Sequence, residues 1–126
     1  MNGRAIAGLC AGVAAVALAA VPAAVAKDGD VRVAGTCTAA STSKLKLSEE
    51  DGRIEVEFEV DQNRNGVSWA IAIRRNGTVA RRLVRVTRGP SGSFEARVVV
   101  ANGAGADRIT AVGTRRGETC HAAAAF

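Results

Sequence analysis

The sequence predicts an all-β fold: an immunoglobulin/fibronectin-like antiparallel β-sandwich of about seven to eight strands, preceded by a signal-peptide helix. Three observations predict it. Beyond residue 30, apolar and polar side chains alternate with a period of two rather than 3.6. Turn residues interrupt these runs at the spacing of a meander or Greek key. No long window beyond residue 26 has the periodicity of an amphipathic helix. A small closed barrel is the main alternative. The chain has 126 residues, room for one domain and too little for a Rossmann, TIM-barrel or kinase architecture.

The elements follow in order. Residues 5–26 carry no charge and follow Arg4; Pro22 breaks the stretch, and Ala24-Val25-Ala26 fits a small-x-small cleavage site. This predicts a signal peptide over residues 1–26, a single sandwich domain over 27–126, and a secreted, extracellular protein. A membrane anchor is the rival reading, but the stretch is mostly alanine and inserts poorly. Lys27 is followed by Asp28 and Asp30, not by a basic stop signal. No stable membrane insertion is therefore expected once the segment is cleaved. Cys10 follows Leu9 and lies inside the apolar stretch, the wrong place for lipid attachment.

The first strand region holds Val31 and Val33, and the next holds Leu45 and Leu47 between lysines. Ile54, Val56, Phe58 and Val60 alternate with Glu55, Glu57, Glu59 and Asp61, the clearest half-buried strand in the chain. Trp69, Ile71 and Ile73 share a face and read as core. Residues 79–86 follow, where the pattern slips at Leu83-Val84 and suggests a bulge. Phe94 to Val100, Ile109 to Gly113 and Thr119 to Phe126 complete the set. Glu50-Asp51-Gly52, Gly89-Pro90-Ser91-Gly92 and Asn102 to Gly105 mark turns. Asn76-Gly77 is the strongest hairpin signal, because both central positions of a two-residue turn need positive φ.

Removal of the signal leaves two cysteines, Cys37 and Cys120. In an oxidising compartment they have one intramolecular pairing, which would staple the two ends of the domain. The loop it closes, about 83 residues, corresponds to roughly 4.5 kcal/mol of chain entropy. A metal site or an intermolecular bridge is the alternative.

Over Asp51-Gly52-Arg53-Ile54-Glu55-Val56-Glu57-Phe58-Glu59-Val60-Asp61, Ser91-Gly92-Ser93-Phe94 and Gly105-Ala106-Asp107-Arg108-Ile109, the chain resembles a group of uncharacterised small secreted β-sandwich proteins of high-GC Gram-positive bacteria. The resemblance covers nearly the whole chain after the signal. It implies export and the sandwich fold, and transfers no catalytic residue. A bias of 14 arginines to three lysines fits a GC-rich genome.

Charge is unevenly distributed. Residues 27–61 hold five basic and nine acidic groups, whereas residues 62–126 hold eleven and three. Arg74, Arg75, Arg81, Arg82, Arg85 and Arg88 fall in one hairpin with no acid between Gln62 and Phe94. One reading is a patch for an anionic surface such as nucleic acid, an envelope polymer or lipid head groups, the partner being an anionic envelope polymer or a protein. The other is that Glu55, Glu57 and Glu59 lie across the sheet from these arginines and neutralise them. Alternation allows Arg81 and Arg85, or Arg82 and Arg88, to share a face. Nucleic acid is the weakest candidate, since readers that stack bases need exposed aromatics among the basic groups. The aromatics are only Phe58, Trp69, Phe94 and Phe126.

Little points to catalysis. The one histidine, His121, lies beside Cys120 and so on the opposite face of a strand. No further His or free Cys completes a zinc shell. Glu55, Glu57 and Glu59 are spread over about 13 Å along a strand, whereas calcium needs oxygens converging at about 2.4 Å. No Gly-x-Ser-x-Gly elbow is present. The sequence therefore reads as a non-enzymatic secreted binding or structural module at the cell envelope or outside it, with no cofactor and no metal. The alternative is a small secreted inhibitor or effector acting through an exposed loop, Arg88 to Ser93 around Pro90.

Overall fold

The computed structural model describes residues 29–126; the signal segment over residues 1–26 lies outside them. Nine strands form in order: β1 (Val31–Ala34), β2 (Thr36–Cys37), β3 (Thr42–Glu50), β4 (Arg53–Asp61), β5 (Ser68–Arg75), β6 (Thr78–Val86), β7 (Ser93–Val100), β8 (Arg108–Arg115) and β9 (Glu118–Ala125). Two antiparallel sheets result, one ordered β1-β3-β4-β7 and the other β2-β9-β8-β5-β6. Both sheets have open edges, so the fold is a sandwich and not a closed barrel.

The alternation read from the sequence becomes the two surfaces of each sheet. Leu45, Leu47, Ile54, Val56, Phe58, Val60, Ala96 and Val98 point inward from the four-stranded sheet. Trp69, Ile71, Ile73, Ile109, Ala111, Cys120, Ala122 and Ala124 meet them from the other. Each large side chain so buried stabilises the fold by about 1.5–3 kcal/mol. Three aromatics centre this core: Phe94 lies 6.2 Å from Phe58 and 5.7 Å from Trp69 between ring centroids. Gly113 faces them; a Cβ there would come within 3.1 Å of Phe58, so β8 leaves the space that the rings fill.

β4 pairs with β7 in one sheet and β5 with β8 in the other, while the β4–β5 and β7–β8 connections cross between sheets. That is the interlocking of strands B, C, E and F in an immunoglobulin-like sandwich, with Trp69 on the equivalent of strand C. The first strand region splits at Gly35, passing from the β3 edge to the β9 edge. A side chain at Gly35 would meet the His121 carbonyl at 2.6 Å, so only glycine allows the chain to cross so closely. This split of the first strand region into β1 and β2 brings the strands to nine rather than seven or eight.

Cys37 and Cys120 are direct cross-strand partners on β2 and β9, disulfide-bonded with Cα atoms 4.0 Å apart. The bond joins the two ends of the described chain within one sheet. It does not cross the core.

Candidate functional site

The β5–β6 hairpin is organised by its turn. Asn76 and Gly77 take φ of 51° and 85°, as a two-residue connection requires. The Asn76 side chain also docks the turn: its Nδ2 donates to Asp107 Oδ1 at 3.1 Å and its Oδ1 accepts from the Arg108 amide at 2.8 Å. Asp107 is buried and further accepts from Arg75 Nε at 2.9 Å and the Gly103 amide at 2.7 Å. Burial pushes its carboxyl upward. The Gly103, Asn76 and Arg75 donors outweigh burial and hold it below its ordinary value.

Arg75 is thereby removed from the predicted patch. Its guanidinium lies 2.8 Å from Asp107 and fastens the hairpin to the loop before β8. The other five arginines have no carboxylate partner among the described residues. On β6, Arg81, Leu83 and Arg85 stand opposite Ile73, Ile71 and Trp69, and so project to the core side. Arg82, Val84 and Val86 stand opposite Ala72, Ala70 and Ser68 and project to the outer face. Arg81 and Arg85 therefore share a face, whereas Arg88 lies beyond the strand in an isolated bridge with Ser93. Arg74 is half-buried on β5.

The bulge is elsewhere than the sequence suggested. Ile73 pairs with Arg81 and Arg74 with Val79, so Ala80 is the extra residue and the Leu83-Val84 pairing is regular. The slip in hydrophobicity at 83–84 has another cause. β6 is the outermost strand of its sheet: on its core side only Leu83 packs against the core, and on its outer face Val84 is 57% exposed. Alternation is enforced only where one face is buried.

The glutamates do not neutralise this hairpin, contrary to the second reading of the sequence. Glu55, Glu57 and Glu59 lie on the outer face of the other sheet. There Glu59 pairs with Lys44 at 3.3 Å, Glu57 with Lys46 at 3.7 Å, and Glu55 with Arg97 at 3.0 Å. The Glu55 hydrogen bond, then the charges of Glu57, Glu55 and Glu95, raise the pKa of Arg97. The outer face of the five-stranded sheet is different: small residues of β5 and β8 form a shallow groove of about 410 Å³ beside Arg74 and Arg82.

Two polar residues that the sequence reading passed over hold the structure around this site. Thr87 accepts from the Val67 amide at 2.9 Å and donates to the Arg64 carbonyl at 2.6 Å, closing the loop between β4 and β5. Glu118 accepts from the Ser41 amide and hydroxyl and from Arg115. Its burial raises the pKa, but the Ser41 and Arg115 donors bring it below its ordinary value. Its carboxylate lies near the sulfurs of Cys37 and Cys120, but both sulfurs are committed to a disulfide and offer no thiolate to a metal. Asp107 and Glu118 had one signal in the sequence: they are two of only three acids after residue 62.

His121 is exposed while Cys120 is buried, the opposite-face placement that strand alternation requires. The loop from Arg88 to Ser93 closes on itself through the Arg88 amide to the Ser93 carbonyl at 2.9 Å. The Gln62 amide donates to Gly92, tying it to the neighbouring loop and leaving a short tip at Gly89, Pro90 and Ser91. Compared with protein-family models, curated proteins and solved structures, the chain matches none.

Proposed function

We propose that the protein is a secreted, non-enzymatic binding module that engages an anionic macromolecule outside the cell through the β6 edge. One observation carries this: Arg81, Arg82 and Arg85 are exposed on an edge strand, with no carboxylate partner among the described residues. Exposed arginines left unpaired in this way create a positive field that draws and steers an anionic partner. Glu55, Glu57 and Glu59 pair on the other sheet, and Asp107 and Glu118 are held in buried networks. Export is supported by the apolar stretch before Lys27 and by the disulfide, which persists in oxidising compartments. Among the described residues no helix is long and apolar enough to cross a membrane. The short, tied-down tip at Pro90 offers an inhibitor reading little surface.

The test is retention of the oxidised protein, residues 27–126, on a polyanionic column. Wild type is compared with an Arg81→Ser/Arg85→Ser pair and an Arg82→Ser/Arg88→Ser pair. Retention should fall steeply with salt, because exposed charges are screened beyond about 8 Å at physiological ionic strength. Both variants should elute earlier than wild type. Equal retention of all three at low salt would remove the proposal.

A further inference from the structure

The β6 edge offers more than charge. In an antiparallel pair, residues alternate between exchanging both backbone hydrogen bonds with the partner and directing both groups away. The Thr87 amide donates to the Val67 carbonyl at 2.9 Å, which sets the phase. Two and four residues back, Arg85 and Leu83 bond inward to β5. Arg82, Val84 and Val86 therefore direct their amides and carbonyls outward, to the side on which Arg88 bridges to Ser93 just beyond the strand but on which no strand pairs with β6 itself. The Val84 carbonyl accepts from the Arg85 side chain, Nη1 at 2.9 Å, a donor that an incoming strand would replace.

An edge of nine residues without proline is a template for another strand. The side chains select what kind of strand. Val84 and Val86 are 57% and 43% exposed, interleaved with Arg81, Arg82 and Arg85 on both faces. A second copy of this edge would place arginine against or diagonal to arginine, and like charges in those positions destabilise a pair. A hydrophilic polyanion would use the guanidinium groups but neither the outward backbone nor the valines. An extended acidic polypeptide uses all three. Its main chain pairs with the outward groups at a repeat of roughly 6.8 Å. Its acids lie beside Arg81, Arg82 and Arg85, and its apolar residues beside Leu83, Val84 and Val86.

We infer that β6 binds an acidic, extended polypeptide segment by strand addition, extending the five-stranded sheet to six. This rests on the reading of β6 as the binding edge, and names its partner and mode.

The probe is a capped peptide with the central run Val-Glu-Val-Val-Glu-Glu, antiparallel to residues 86 to 81. Its comparators are the same peptide N-methylated at the amides that would pair, and inorganic polyphosphate. On binding, hydrogen exchange should slow at the amides of Arg82, Val84 and Val86 in the wild-type protein. The N-methylated peptide, equal in charge, should bind about tenfold or more weakly, the loss expected when one or two backbone hydrogen bonds are removed. Val84→Pro removes an outward donor that β5 does not use. It should abolish the difference between the two peptides, leaving the melting temperature and polyphosphate binding in place. Equal binding of the two peptides, or no protection at those three amides, would overturn strand addition. If polyphosphate still bound, the anionic reading of the edge would stand alone. If neither peptide nor polyphosphate bound, both would fall.

Discussion

The five-stranded sheet ends in two edges of opposite character. At one, β2 is two residues long, bonded to β9 through Cys37–Cys120, and continued across the sandwich by Gly35 into β1. Glu118, Ser41 and Arg115 form a buried polar cluster beside it. At the other, β6 runs nine residues, all but Leu83 exposed, and is guarded by its arginines and the bulge at Ala80. An edge closed by a covalent bond and a strand switch has no surface left to offer. An edge kept soluble by charge stays available to a partner of the opposite charge. On the proposed reading, one edge serves stability and the other serves binding.

Reducing Cys37–Cys120 tests the closed edge most directly and should have the largest effect. The chain-entropy gain of roughly 3–4.5 kcal/mol corresponds to a fall in melting temperature of more than about ten degrees for a domain of this size. Calorimetry with and without reductant measures it. A fall of only a degree or two would mean that the Gly35 switch and the Glu118 cluster hold this edge unaided.

Asp107 anchors the turn of the open hairpin and comes next. Asp107→Ala leaves the half-buried Arg75 without its counter-charge and the Gly103 amide without its acceptor. A loss of about 3 kcal/mol is expected, read from urea unfolding. Retained stability in this variant would show that Asn76 alone suffices to dock the turn.

Acidification should act on both edges together. Asp107 and Glu118 are held below their ordinary values of 3.8 and 4.5, so the unfolded chain binds their protons more tightly than the folded one. Their contribution is fully present above the unfolded values and is lost as pH falls through the lower folded ones. Urea midpoints should therefore drop between about pH 5 and pH 3, and less so in Asp107→Ala. A midpoint independent of pH across that window would contradict the assigned networks.

The smallest changes belong to the exposed charges. Arg81→Ser/Arg85→Ser should leave the melting temperature within about a degree of wild type, since neither guanidinium pairs with a carboxylate. Arg97→Ala breaks its contacts to Glu55, Glu57 and Glu95, yet it should also shift melting little, because exposed pairs contribute little. Only the first variant should lose polyanion retention. If Arg97→Ala lost it equally, the distinction between the two outer surfaces would collapse.

The legible parts of this structure were those in which neighbours along the chain do the work. Residues 54–60 alternate so regularly that one buried face was the only solution, and Asn76-Gly77 named its own hairpin. The split at Gly35 and the extra residue at Ala80 were not legible. Each answers to what lies across the sheet rather than to its neighbours in sequence.

The candidate site divides along the same line. The six arginines are visible in the chain, as is the scarcity of acid around them. That Arg75 is consumed by Asp107, 32 residues away, and that Glu55, Glu57 and Glu59 serve Lys44, Lys46 and Arg97 instead, depends on which strands adjoin. By itself the sequence determined the strand content, the cysteine pair available for bonding and the excess of basic charge, because composition and a period of two are local properties. Only the tertiary structure decided which charges remain unpaired and which edge remains open, because ion pairing and strand order are contacts between residues far apart in the chain.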